Sequence, residues 1–250
     1  MNITKKEWNA FVQRLSLINK AAGAAVSKYI QLNGLGDIDA LIAYATSVAE
    51  YYGTASASFA ALMYDTIAEL EGLTLPAAEL AMNPTYGDVA KAIQGTLKTS
   101  ENAEEIGGSV ERLVKMTGQD TLLHNALRDH AEYAWIPSGT TCAFCLTLAA
   151  NGWQPMSKSV LDGGHAEHIH ANCDCTYMIR HNKDTNVSGY NPEKYQKMYY
   201  DADGRNARDK INAMRREFYQ ENREEILQQK ADAYEKRKEL NSSTADEHTA

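Results

Sequence analysis

The chain has 250 residues, enough for one large domain or two small ones with a real core. With 25 Lys and Arg against 33 Asp and Glu its formal charge is −8, which argues against a general nucleic-acid binder and leaves room only for a local basic patch. No apolar run follows a basic start, and no stretch nears the roughly 20 apolar residues of a membrane span, so the expectation is a protein made in a reducing cytoplasm with no signal peptide or membrane segment.

Thr4-Lys5-Lys6-Glu7 has the form of a capping box, with Ile3 and Trp8 where a hydrophobic staple closes the same turn. Trp8, Phe11, Val12, Leu15, Ile18, Ala22, Ala25 and Tyr29 then recur at helical spacing, and the helix is expected to stop at Asn33-Gly34. A second helix starts near Asp37 or Asp39. Its stripe runs through Leu41, Ile42, Ala45, Val48, Ala49 and Tyr52, with Gly53 as a candidate interruption. It continues through Phe59, Leu62, Met63, Ile67 and Leu70 to Gly72. The aromatic residues of this region read as core rather than as a ligand pocket.

Pro76 and Asn83-Pro84 punctuate what reads as short helical pieces. Helices are expected over about 88–97 and 103–116, the second weakened by Gly107-Gly108, since an interior glycine costs a helix about 1 kcal/mol. After Gly118 a last stripe uses Leu122, Leu123, Ala126, Leu127, His130 and Tyr133; His124 and His130 read as polar edge residues. Residues 1–135 are therefore an all-α domain without strand alternation.

The character changes at Trp135-Ile136-Pro137-Ser138-Gly139, and a Cys/His segment over 136–187 follows. All four cysteines lie in it, at Cys142, Cys145, Cys173 and Cys175, with His165, His168 and His170 just ahead of the second pair. A Cys-x-x-Cys turn sets two thiolates on one side of a tight loop, as tetrahedral zinc needs with sulfur about 2.3 Å away. Cys173 and Cys175 are two apart and face one way on an extended strand. His170 can swing in from three residues before. Five candidates thus compete for four positions: Cys142, Cys145, His170, Cys173 and Cys175. Either four thiolates bind with His170 supporting them, or His170 binds and one cysteine is spare. Two disulfides or four ordinary buried thiols are the competing reading, less suited to a reducing compartment. Leu146 to Ala150 has room for a helical turn, Asn151-Gly152 and Gly163-Gly164 read as turns, and Cys175 to Ile179 as a strand.

These same residues resemble the core of a known family. Ile136-Pro137-Ser138-Gly139, then Cys142-Ala143-Phe144-Cys145, Gly163-Gly164 and His170-Ala171-Asn172-Cys173-Asp174-Cys175 are similar to the Mu-F-like minor capsid, or head morphogenesis, proteins of tailed phages. The resemblance covers roughly residues 120–180. It departs from the family at Asn151-Gly152, where Arg-Gly is common. It implies a virion protein inside the capsid, assembled in the host cytoplasm. The implied partners are the portal protein and the major capsid protein, with a possible contact to packaged DNA.

Past residue 187 the chain turns polar. Tyr190, Tyr195, Tyr199 and Tyr200 read as a linker with Pro192. A charged helix is expected over about 206–240, with a thin seam of Ile211, Met214, Phe218, Ile226, Leu227 and Tyr234. Its heptad is broken at Glu221 and Glu225, so no coiled coil follows. The small basic run at 235–238 reads as a solvated face, and residues 241–250 as a disordered tail.

The fold expected is mainly α: an N-terminal helical domain, a small zinc-knuckle α+β module and a charged C-terminal helix. The rival from another class is a zinc-dependent hydrolase or deaminase using the same cluster. His165-Ala166-Glu167 and Cys142-x-x-Cys145 carry deaminase-like pieces, but in reversed order and without an adjacent Pro-Cys. A catalytic zinc also keeps an open position, whereas five candidates favour a closed structural one. No enzyme activity and no catalytic residue are therefore expected.

Overall fold

A computed structural model of the chain describes residues 1–138, 143–162 and 175–221, and residues 223, 224, 227, 228 and 231 beyond them. The described residues form a mainly helical fold with two small sheets.

Strand β1 (Asn2–Ile3) leads into helix α1 (Lys5–Asn33). Its start is the capping box that the sequence announces: the Thr4 hydroxyl accepts from the Glu7 amide at 3.2 Å, and Glu7 accepts from the Thr4 amide at 2.9 Å. That pairing holds the Glu7 carboxyl below its ordinary range. Helix α2 (Ile38–Leu70) is capped by Asp37 and passes Gly53 without interruption. Helices α1 and α2 pack on each other and on α4 (Ala103–Arg128), which runs through Gly107, Gly108 and Gly118 as one helix. The glycine pair sits at the crossing of α4 on α1. A Cβ on Gly107 would strike the Gly23 carbonyl and the Ser27 hydroxyl. Close approach of the two backbones outweighs the local helix penalty.

Between α2 and α4 the expected helical pieces are replaced by an extended strap over 73–84, followed by α3 (Tyr86–Leu97). Side chains hold the strap down in place of helical bonds. Asp65 accepts from the Ala78 amide, and Thr121 from the Ala81 amide. Asn125 exchanges two bonds with the Glu79 backbone, at 2.9 and 2.8 Å. The prolines remove helical donors, and buried polar side chains of α2 and α4 supply the partners instead.

Helices α2 and α4 end alike. In α2 the Leu73 amide reaches the Ala68 carbonyl and the Gly72 amide the Glu69 carbonyl, with Gly72 at φ +75°. In α4 the Ala131 amide reaches Ala126 and the His130 amide reaches Leu127, with His130 at φ +54°. These are Schellman endings, and the second places a Cβ in the left-handed region that glycine favours. His130→Gly is expected to stabilise the fold by about 0.5–1 kcal/mol, read as a rise in Tm. An unchanged or lower Tm would show that the imidazole contributes a compensating contact.

Directly after this turn, residues read as the end of a helical stripe form strand β2 (Glu132–Ile136). It pairs antiparallel with β3 (Gln154–Pro155) on one side and β4 (Thr176–Arg180) on the other. Helix α5 (Ala143–Ala149) and the short α6 (Lys158–Asp162) lie between the strands in sequence. Strand β5 (Asn186–Val187) pairs parallel with β1 and ties the start of the chain to the exit of the sheet. The stretch read as a Tyr-rich linker is helix α7 (Pro192–Asp201), with Asn191 as cap and Pro192 in the first turn. The charged helix expected beyond it begins as α8 (Ala207–Glu221).

The core has two large apolar parts, and a small third of Ala143, Leu146, Ala202 and Met214 joins α5 to α8. One joins Ala22, Val26, Ile42, Ala45, Ile93, Ile106 and Val110. The other joins Trp8, Val12, Tyr64, Ile67, Leu122 and Leu123 to Trp135, Cys145, Cys175, Tyr177, Val187 and Tyr190. The N-terminal helices and the cysteine segment therefore share one core. On α1, α2 and α4 alike the two parts are separated by buried polar residues: Asn19, Ser56, and the group Lys115, Thr117 and Gln119. Ser56 donates to the Asn19 side chain at 3.0 Å.

Candidate functional site

Of the five candidate metal ligands, Cys145 and Cys175 lie on described residues. Cys142, His170 and Cys173 lie outside them, as do His165, Glu167 and His168. Cys145 is the third residue of α5, and Cys175 immediately precedes β4. Both thiols are buried, at 2% and 1% exposure, in the same part of the core.

The sheet sets where the two segments begin. In the β2–β4 register Ile136 faces Thr176 and Trp135 faces Tyr177. The chain leaves β2 at the same end at which it enters β4. Among the described residues alone, no group of three or more His, Cys, Asp or Glu is placed to hold a metal ion.

The walls of this end are aromatic. The Tyr177 ring meets Trp135 edge-on at 4.7 Å and Tyr133 at 5.6 Å. Burial pushes the Tyr177 phenol well up, with Tyr133, Asp120 and Cys145 adding to it. Tyr195 of α7 is raised by burial and then by Cys175. Asp120 of α4 is raised by burial, with His124 one turn on acting in the opposite direction. Burial is the first cause of all three shifts, so Asp120, Tyr177 and Tyr195 are desolvated groups. Sequence reading singled out none of Asp120, Tyr177 or Tyr195. The available signal was Asp120 with His124 four residues on, in a stretch of α4 that also carries Gln119, Thr121 and Asn125.

Behind Cys175 a cavity of about 10 Å³ is bordered by Asn19, Glu111, Lys115, Gln119 and Thr176, room for about one water. Gln119 is fully buried. Its amide donates to the Thr176 hydroxyl at 2.6 Å and its carbonyl accepts from the Tyr177 amide at 3.2 Å. The start of β4, and with it Cys175, is thereby fixed to α4.

A comparison with protein families matches the VG15 protein model over residues 2–202. The chain belongs to the VG15 protein family. The family is phage-associated. Its match takes in α1 through α4, both sheets and the whole cysteine segment, and ends one residue past α7, leaving α8 outside. No curated protein and no solved structure matches the chain. Among the described residues no helix is long and apolar enough to cross a membrane.

Proposed function

We propose that this VG15 family chain is a minor capsid protein of tailed phages. In this reading it associates with the portal protein and the major capsid protein on the inner side of the head during assembly, and it catalyses nothing. The observation that supports it is positional: the Cys/His spacing at 142–175 falls wholly inside the match to a phage-associated family.

The cysteine segment is proposed to close around a structural zinc. Four of Cys142, Cys145, His170, Cys173 and Cys175 would hold it. The ion would supply a cross-link between the start of α5 and the start of β4. Burial of Cys145 and Cys175 in one core part suits this role, because thiolate charge is tolerated there only when a metal compensates it. Metal-binding energy in such a site is folding energy.

Zinc content and thermal stability test the site together. Protein from a reducing cytosol, prepared without added zinc, is expected to carry about one zinc per chain. A Cys142→Ser, Cys145→Ser double variant is expected to lose both the metal and much of its thermal stability. A metal-free wild-type chain would refute the zinc site and recast the cysteines as core. The non-enzymatic reading is tested by Glu167→Ala, expected to leave folding and head assembly intact. A hydrolase or deaminase would instead lose its activity outright in this variant while still folding.

A further inference from the structure

Charge is not spread evenly along this chain. Residues 29–90 contain no Lys, Arg or His, against eight Asp and Glu. The other 25 acids equal in number the 25 Lys and Arg. The whole formal charge of −8 therefore sits in one quarter of the chain, which is mostly α2 and the strap. The same quarter carries 9 of the 13 exposed large apolar side chains among the described residues. Its surface is thus acidic and apolar together.

The strap sets these side chains in one strip. It runs antiparallel to α2: Asp65 accepts from the Ala78 amide at 2.9 Å, and the Asn83 side chain donates to the Thr54 hydroxyl at 2.7 Å. The helix from Thr54 to Asp65 spans about 16 Å, and the strap from Ala78 to Asn83 covers that span on extended backbone. Leu80 and Met82 are two apart there and both exposed, Met82 at 93%, so they share the outer side. Tyr51 and Leu62, 72% and 60% exposed, stand three residues before Thr54 and Asp65, on the side of α2 next to the strap. The exposed Glu50, Glu69 and Glu79 border the strip: Glu50 adjoins Tyr51, Glu79 adjoins Leu80, and Glu69 lies two turns beyond Leu62. Arg128 reaches the strap from α4, but it is engaged by the Pro76 and Ala77 carbonyls and by Asp129.

We propose that the outer face of α2 and the strap is a docking surface for a helix of another protein, apolar on one side and rich in Lys and Arg around it. The apolar strip is three helical turns long, which suits anchors at helical spacing. Exposed carboxylates with no base in the same segment select a basic rim. An added strand is disfavoured, because the amides of Ala78, Glu79 and Ala81 already donate inward to Asp65, Asn125 and Thr121. Nucleic acid and anionic lipid are repelled by the same charge. A second copy is a poor match, since the rest of the chain sums to zero charge and offers no positive excess. Neither the zinc site nor a place in the phage head is needed for this surface.

Backbone amide NMR on the full chain tests it with synthetic helical peptides. A peptide with Leu on one face and Lys on the others is expected to bind and to shift amides along α2 and the strap. Raising salt from about 0.1 M to about 1 M cuts the screening length from about 10 Å to about 3 Å and should weaken binding on the order of tenfold. The same peptide with Glu for Lys, or with Ser for Leu, should not bind. The double variant Leu62→Ser, Met82→Ser changes only exposed side chains, so its Tm should match wild type while its affinity falls about tenfold or more. No shifts, shifts centred elsewhere, or equal binding by either control peptide or by the double variant overturns the proposal. A concentration-dependent dimer that the double variant abolishes, seen by sedimentation, gives the face to a second copy and overturns it as well.

Discussion

Gly107→Ala is expected to destabilise the protein by about 3 kcal/mol, a fall in Tm of about 6–12 °C for a chain of this length. The added methyl meets the Gly23 carbonyl and the Ser27 hydroxyl where α4 crosses α1. Ser27 is not free to swing aside at no cost, because it donates to both the Gly23 and the Ala103 carbonyls at 2.9 Å. The Gly23 carbonyl is backbone of α1, so relief requires the two helices to separate, and Val26, Ile106 and Val110 are buried beside that crossing. Gly95→Ala in α3 is the control of opposite sign. That position is exposed, in helix, with nothing within 4 Å of a new Cβ, so alanine should gain about 1 kcal/mol through helix propensity alone. If both substitutions stabilise, the α1–α4 crossing is looser than described. Denaturant melts of the two variants decide it.

The same pair of glycines shows where local reading of the sequence stops. Gly107-Gly108 argues against a helix on propensity, and only the partner helix, 84 residues earlier at Gly23, reverses the argument. Signals that close within one turn were legible: the Thr4 box, the Asp37 start, the stop at Asn33-Gly34 and the strand after Cys175. The Asn83-Pro84 break was legible as punctuation, but not the strap it belongs to, whose partners Asp65, Thr121 and Asn125 lie on two other elements.

Strand β2 was hidden for a different reason. Four of its five residues, Tyr133 to Ile136, are buried on both faces, so no alternation betrays it, and Tyr133 continues the helical spacing of α4. Helix α7 was hidden by its own start signal. Asn191-Pro192 reads as a turn, yet Asn as cap followed by Pro is also how helices begin, and the Asn191 side chain accepts from the Lys194 amide at 3.0 Å. At the candidate site, Cys145 and Cys175 lie in one part of the core. Their surroundings were not legible, because Asp120, Tyr177 and Tyr195 reach the site from three elements far apart in sequence.

Gln119→Leu should be the second large loss, about 3 kcal/mol, because it strands buried partners rather than merely deleting a contact. In the order β3-β2-β4 the last strand is an edge, with a row of backbone groups turned away from β2. The Tyr177 amide is satisfied by the Gln119 carbonyl, and the Thr176 hydroxyl lies 2.6 Å from the Gln119 amide. Leucine fills similar space and offers neither group. The Tyr177 amide is then buried with no acceptor, beside a ring packed on Trp135 and Tyr133. Gln119→Glu separates the hydrogen bond from the shape. It keeps an acceptor for the amide, but buries a carboxyl facing the Thr176 hydroxyl, and burial favours its neutral form. That variant should be more stable at acid pH than at neutral pH relative to wild type, since its carboxyl is raised in the fold and the stabilisation is lost as pH rises through the raised value. If the zinc proposal holds, Gln119→Leu should also weaken metal retention, because Cys175 stands one residue before the anchored pair. Retention equal to wild type in a destabilised variant would mean that the start of β4 is positioned by the ion and not by α4.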